Sequence, residues 1–191
     1  IYRGLGAQVT VLEALPTMMA GADSRLPAEC IQVMERSGIV FKSGVSISDV
    51  TVSEKDITVD FDVDDGESSL VCDQILYSVG RTANGHELGA DAANVVVDDR
   101  GLIAVDEYMR TNQEHIYAVG DVAKTPFDNQ MLAHRATAHG HLAAEIIAGH
   151  NVRYDIRCIP SVAYTDPELA WVGMQEEDLK KEGVEYKVGV F

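Results

Sequence analysis

Apolar residues come in short runs whose spacing changes along the chain. Ile1 to Gly6 reads as the tail of a helix with Gly6 as its cap, and no start signal precedes it. Gln8 to Glu13, with Val9, Val11 and Leu12 as its apolar members, ends in an acid and reads as a buried parallel strand. After a loop at 18–23, the spacing predicts a helix over 24–37. Cys30, Ile31, Val33 and Met34 supply its apolar face, and Gly38 ends it. Ile39 to Phe41 is a further short strand, with Val45 just beyond. From Ser46 to Cys72 the period becomes two. Val59, Phe61 and Val63 alternate with Asp60, Asp62 and Asp64, Asp65-Gly66 turns the chain, and Ser69 to Cys72 returns. This predicts a hairpin or meander with one solvated face.

Five more strands are expected between Gln74 and Phe191, outside the motif at 159–173. Gln74 to Val79 reads as a buried strand closed by Gly80 and Arg81. A polar, glycine-containing crossing over 85–94 reads as a passage between domains. Val95-Val96-Val97 and Leu102 to Val105 predict a hairpin around Asp98-Asp99-Arg100-Gly101. Ile116 to Val119 reads as a buried strand, ended by Gly120 with Asp121 at its carboxyl end. Met131 to Ala148 is rich in Ala, with Leu, Ile and Glu145, and stops at Gly149, which predicts a helix with a glycine cap. Gln175 to Glu182 predicts a last helix, and a strand is expected from Tyr186 through Phe191.

Composition narrows the function classes. A net charge of −16, from 15 basic and 31 acidic residues, argues against nucleic acid and acidic membrane surfaces as partners. No apolar run approaches the length of a membrane span. Cys30, Cys72 and Cys158 form no C-x-x-C pair and suggest reduced thiols in a cytosol-like compartment. Asp60 fails as the first position of a calcium loop, because Asp65 falls where the turn glycine belongs and Val71 where the bidentate Glu belongs. His134, His139 and His141 do not share one helical face and make a poor metal site.

Two acids remain as candidate binding groups. Ligands of open parallel sheets bind beyond the carboxyl ends of the strands. Asp121 sits at such an end and can accept hydrogen bonds from sugar hydroxyls, while the helix that follows offers unpaired N–H groups and a positive dipole end. Glu13 ends the first strand, where a Rossmann unit places the acid that binds the adenosine ribose, about 20 residues after a glycine fingerprint. That count puts the fingerprint just upstream of Ile1.

Four ordered motifs then point to one family. Thr111-Asn112-Gln113-Glu114-His115-Ile116-Tyr117-Ala118-Val119-Gly120-Asp121 resembles the T-x5-YA-x-GD flavin-binding run of the pyridine nucleotide-disulphide oxidoreductases. Gly80-Arg81-Thr82-Ala83-Asn84 resembles that family's A-x-G-R-x-P-N run, with Ala83 where proline is usual, which leaves the turn less stiff. Gln130-Met131-Leu132-Ala133-His134 opens the matching helix. Residues 159–173 are similar to I-P-x-V-x-Y-T-x-P-E-x-A-W-V-G, the first strand pair of the interface domain, where Tyr164 and Trp171 suit an obligate dimer.

The resemblance implies an α/β fold: parts of two Rossmann-like dinucleotide-binding domains plus the start of an α+β interface (dimerisation) domain. The expected divisions are 1–84 for the end of the NAD-binding domain, 85–156 for the returning segment of the FAD-binding domain, and 157–191 for the interface domain. It implies FAD and NAD as cofactors, with contacts at Glu13, Val45, Gly80, Arg81, Asp121, Met131, Leu132, Ala133 and His134. Asp121 would hold the ribityl chain, and the helix start would approach the isoalloxazine ring. Glu13 favours NAD, since a carboxylate accepts ribose hydroxyls and repels a 2′-phosphate. Within the family the motifs fit best the branch that oxidises dihydrolipoamide. Its expected partners are a second copy of the chain and the lipoyl domains of 2-oxo acid dehydrogenase complexes. Its expected location is the cytoplasm in bacteria or the mitochondrial matrix in eukaryotes. The family's C-x4-C redox pair, N-terminal FAD fingerprint and C-terminal His-Glu base do not occur in these 191 residues, so no catalytic residue is expected here and the sequence reads as the middle of such an enzyme. Two alternatives stay open: a glutathione or mercuric reductase type, and a non-catalytic module that binds a dinucleotide or a partner.

Overall fold

The computed structural model describes residues 1–63 and 66–190. The chain divides into two compact units, Ile1–Tyr77 with Pro160–Phe191, and Ser78–Ile159.

The first unit is built around β1 (Val9–Leu12), α1 (Arg25–Arg36) and β2 (Ile39–Lys42). β1 and β2 pair in parallel, with Val9 opposite Ile39 and Leu12 opposite Lys42. The helix covers the distance that parallel strands need between them. Cys30 and Met34 of α1 are buried as expected, but Val33 is exposed and Pro27 takes a buried place in the first turn. The period-two stretch is a three-stranded antiparallel meander of β3 (Ser46–Val52), β4 (Ile57–Val63) and β5 (Gly66–Cys72). Val59 and Phe61 of β4 pack with Val45 as a small core, while Asp62 faces water. Asp64 and Asp65, and with Asp65 half of the expected turn and of the calcium spacing, lie outside the described residues.

The second unit places its core under short elements. β6 (Ile103–Ala104) and β7 (Ala123–Lys124) pair in parallel, and α2 (Ala133–Ile147) packs against the turn Gly120–Val122. Val95, Ile103, Val105, Met109, Ala118, Ala123, Ala143 and Tyr154 form the buried cluster. α2 starts two residues later than expected, so Met131 and Leu132 are extended chain before it; Gly149 closes it as predicted, its N–H on the Ile146 carbonyl. Back in the first unit, β8 (Ser161–Ala163) and β9 (Leu169–Trp171) form the expected antiparallel pair. α3 (Glu176–Glu182) follows, opened by a reciprocal capping box between Gln175 and Asp178.

Four expected strands differ. Residues 74–81 carry no strand, and Leu76, Tyr77 and Val79 are exposed. Among the described residues this run finds no neighbouring ladder, and an apolar run without backbone partners is not a strand. Residues 116–119 form no ladder strand among the described residues: Tyr117 makes an isolated bridge with Arg110, and the Ala118 N–H donates to the Met109 carbonyl. The hairpin of 95–105 keeps its turn, where the Asp98 carboxylate accepts the Arg100 and Leu102 N–H groups, but β6 pairs with β7 and not with 95–97. Residues 184–190 form no strand.

Candidate functional site

The site is the turn that carries Asp121. Gly120 adopts φ +73°, a left-handed conformation that costs a side chain energy. A Cβ there would also lie 3.1 Å from the Ala136 Cβ of α2, so glycine lets the turn and the helix approach closely. Gly120, Asp121 and Val122 form a single tight helical turn before β7. The Asp121 side chain is 43% exposed and its carboxylate lies 3.5 Å from the Arg81 guanidinium.

Beneath the turn, α2 presents a polar inner face. Arg135, His139, Ala143 and Ile146 are its buried residues, a spacing of one helical stripe. The Arg135 side chain is 1% exposed and donates to three carbonyls: Gly120, Ala123 and Asp128, each at 3.1 Å. Its Nε forms an ion pair with the Asp128 carboxylate. A buried guanidinium is tolerable only when paired and hydrogen-bonded in this way. Asp128 also accepts the Tyr154 hydroxyl at 2.6 Å, and burial together with that carboxylate pushes the Tyr154 phenol up to about 12. His139 accepts the Gly120 N–H on Nδ1 at 3.3 Å and stands edge-on to the Tyr154 ring, 4.9 Å between centroids. Burial and the Arg135 charge hold its imidazole below the usual histidine range, against the opposing Asp128 carboxylate.

The predicted site residues fall into two groups, one in each unit. In the first unit Val45 donates its N–H to the Glu13 carbonyl at 3.0 Å, so the two are neighbours across the ends of their segments. The Glu13 carboxylate stands at the carboxyl end of β1 and accepts the Leu15 N–H at 2.9 Å. The Val45 side chain is committed to the core. In the second unit Arg81 meets Asp121 directly. Gly80 beside it has φ +130° and open space where a Cβ would sit, so its glycine answers to backbone conformation rather than crowding. Met131, Leu132, Ala133 and His134 lead into α2, which starts without a side-chain cap among the described residues. The sequence reading misses Arg135, Asp128 and Tyr154, and takes His139 only as a poor metal ligand. Its available signal is the i, i+4 spacing of Arg135 and His139 on the face shared with Ala143.

An exposed acid on a tight turn, backed by a closely approached helix start, suits a polyhydroxyl ligand. Two family models account for most of the chain: the pyridine nucleotide-disulphide oxidoreductase model over residues 1–140, and the dimerisation domain of the same family over residues 159–191.

The chain belongs to the pyridine nucleotide-disulphide oxidoreductase family.

Among its relatives, a dihydrolipoyl dehydrogenase from Cupriavidus necator is 42% identical over the whole chain and one from Haemophilus influenzae is 39% identical. The chain spans 40% and 39% of those two proteins. Among solved structures, the HOCl-induced flavoprotein disulfide reductase RclA from Escherichia coli (C43S mutant), as its Cu(II) complex, matches with a TM-score of 0.85 at 21% identity, covering 96% of this chain and 40% of that one. LpdA from Mycobacterium tuberculosis matches with a TM-score of 0.81 at 23% identity, covering 96% and 39%. These likenesses establish the α/β fold. Membership of the oxidoreductase family carries FAD and a pyridine nucleotide as cofactors. Residues 159–191 are dimerisation-domain sequence. No helix among the described residues is long and apolar enough to cross a membrane.

The residues present fit a flavin. Asp121 offers an accessible carboxylate to hydroxyl groups, and the α2 start offers backbone donors to electronegative atoms.

Proposed function

We propose that this chain is the central part of a dihydrolipoyl dehydrogenase, which oxidises protein-bound dihydrolipoamide and reduces NAD through a redox disulfide and FAD. The observation that carries this reading is the exposed Asp121 carboxylate on a turn braced by α2, in a chain 42% identical to an enzyme of that name. Asp121 accepts ribityl hydroxyls, and Met131, Leu132, Ala133 and His134 line the approach to the ring system. When bound, the flavin supplies a two-electron acceptor between the thiol and the nicotinamide. Gly80 and Arg81 stand on the Asp121 side of the second unit, and the first unit takes the dinucleotide. Glu13 and the Val45 backbone hold its adenosine half, and the Glu13 carboxylate selects NAD over NADP by accepting ribose hydroxyls.

On this reading residues 1–84 end the NAD-binding domain, 85–156 return through the FAD-binding domain, and 157–191 begin the interface domain. The enzyme works as a homodimer in the cytoplasm, receives its electrons from lipoyl domains of 2-oxo acid dehydrogenase complexes, and contributes to redox homeostasis. The test is a steady-state assay of the full-length flavin-loaded protein. Reduction of NAD by dihydrolipoamide supports the reading. Turnover only with NADPH and glutathione disulfide or mercuric ion would replace it with one of the other reductase types.

A further inference from the structure

The turn that carries Asp121 is fixed from below by two side chains of α2. Arg135 binds the Gly120 carbonyl at one end of the turn and the Ala123 carbonyl at the other, each at 3.1 Å. His139, one helical turn further on, receives the Gly120 N–H on Nδ1. Both backbone polar groups of Gly120 are therefore held by α2, and the residue next to it presents its carboxylate outward. Asp128 and Tyr154 complete the support: the carboxylate neutralises Arg135 and is itself held by the Tyr154 hydroxyl. Arg135, His139 and Tyr154 are fully or almost fully buried, so they meet no ligand themselves.

The histidine bond has a protonation requirement. Nδ1 accepts, so the proton of the neutral ring sits on Nε2. Nε2 is buried and has no hydrogen-bond partner among the described residues. Protonating Nδ1 would set a donor against the Gly120 N–H and add a second positive charge beside the Arg135 guanidinium. The charged and titratable groups around the ring are Arg135 on its own helix, Asp128 from the loop before α2, and Tyr154 from the segment after it. Asp121 turns away from this cluster and meets Arg81. Only Asp128 favours the imidazolium, and its carboxylate is already engaged by Arg135 and Tyr154.

We propose that Arg135 and neutral His139 are positioning residues that hold the Gly120–Val122 turn in the form in which Asp121 grips the flavin, so that acidification loosens flavin binding through His139. This rests on the flavin reading of Asp121.

The test measures FAD dissociation constants of the full-length protein by flavin fluorescence, with circular dichroism to verify folding. His139→Asn keeps an acceptor at the position of Nδ1 and does not titrate; His139→Leu removes the acceptor. Between about pH 7.5 and about pH 4.5, a range that extends below the ordinary histidine window because burial and Arg135 hold this imidazole down, the wild type should weaken by about tenfold. His139→Asn should hold FAD near wild-type strength at the higher pH and lose the acid sensitivity. His139→Leu, if folded, should bind FAD weakly at both. If it does not fold, the Asn variant decides. An Asn variant with the wild-type pH profile, a wild type that is flat across the range, or a folded Leu variant with full affinity overturns the proposal. Asp121→Ala is the control for the underlying reading. If it retains full flavin affinity, the flavin reading fails. If it loses flavin while the His139 variants behave as wild type, only the positioning role fails.

Discussion

The Arg81 guanidinium lies 3.5 Å from the Asp121 carboxylate, with the Arg81 side chain 60% exposed and that of Asp121 43%. Two residues that sequence motifs assign to different cofactors thus meet within one unit. An exposed ion pair of this kind contributes about 0–1 kcal/mol. Arg81→Ala should therefore shift the melting temperature by no more than about 2–4 °C. A larger fall in a thermal melt would mean that the pair, and not α2, holds the turn in place.

Arg135 is the opposite case. Its guanidinium is buried, paired with Asp128 and bonded to three carbonyls. Arg135→Met leaves the Asp128 carboxylate and those carbonyls without their partner, and should cost about 3–5 kcal/mol. Denaturant unfolding measures this. A loss below about 1 kcal/mol would show that water replaces the guanidinium freely.

Tyr154 provides a pH signature. Its phenol is raised from an ordinary value of 10.0 to about 12, by burial first and by its hydrogen bond to Asp128 second. The unfolded chain releases this proton before the folded one does. The stability it contributes is complete below pH 10.0 and disappears as pH rises to about 12. Urea midpoints measured across that window should fall for the wild type and fall less for Tyr154→Phe. Parallel slopes for the two proteins would contradict the assignment.

How far the sequence reveals this arrangement depends on what each element needs. α1, α2 and the β3–β5 meander are legible because period and end signals lie within a few residues: Cys30 with Met34, Val59 with Phe61, Gly149 after α2. Residues 74–81 and 116–119 have the composition of buried strands, but a strand exists only through a neighbour, and composition does not reveal the neighbour. The 95–105 hairpin fails for the same reason, since Ile103 pairs with Ala123. The exposed half of the site is legible, because Gly120 and Asp121 sit in a recognisable run. The buried half is not. Arg135 and His139 are polar residues of a kind usually exposed, and what buries them is a set of backbone groups 12–19 residues upstream.

Glu13 tests the nucleotide preference. Its carboxylate stands at the end of β1, anchored on the Leu15 N–H. In the full-length protein Glu13→Ala should weaken NAD binding by about 1.5–3 kcal/mol, the worth of a charged hydrogen bond, and should weaken NADP binding less. Titration calorimetry with both nucleotides distinguishes the outcomes. Equal losses would remove Glu13 from the ribose site.

The role of Asp121 in holding the flavin is tested most directly by the flavin-to-protein absorbance ratio of full-length Asp121→Ala, taken beside a thermal melt with and without excess FAD. FAD binds the folded state only, so losing it lowers the melting temperature and adding it back restores part of the loss by mass action. The expected result is reduced flavin occupancy, a lower melting temperature that rises with added FAD, and NAD affinity close to wild type. Full flavin occupancy at wild-type stability would contradict that role and leave Asp121 as a solvated acid paired with Arg81.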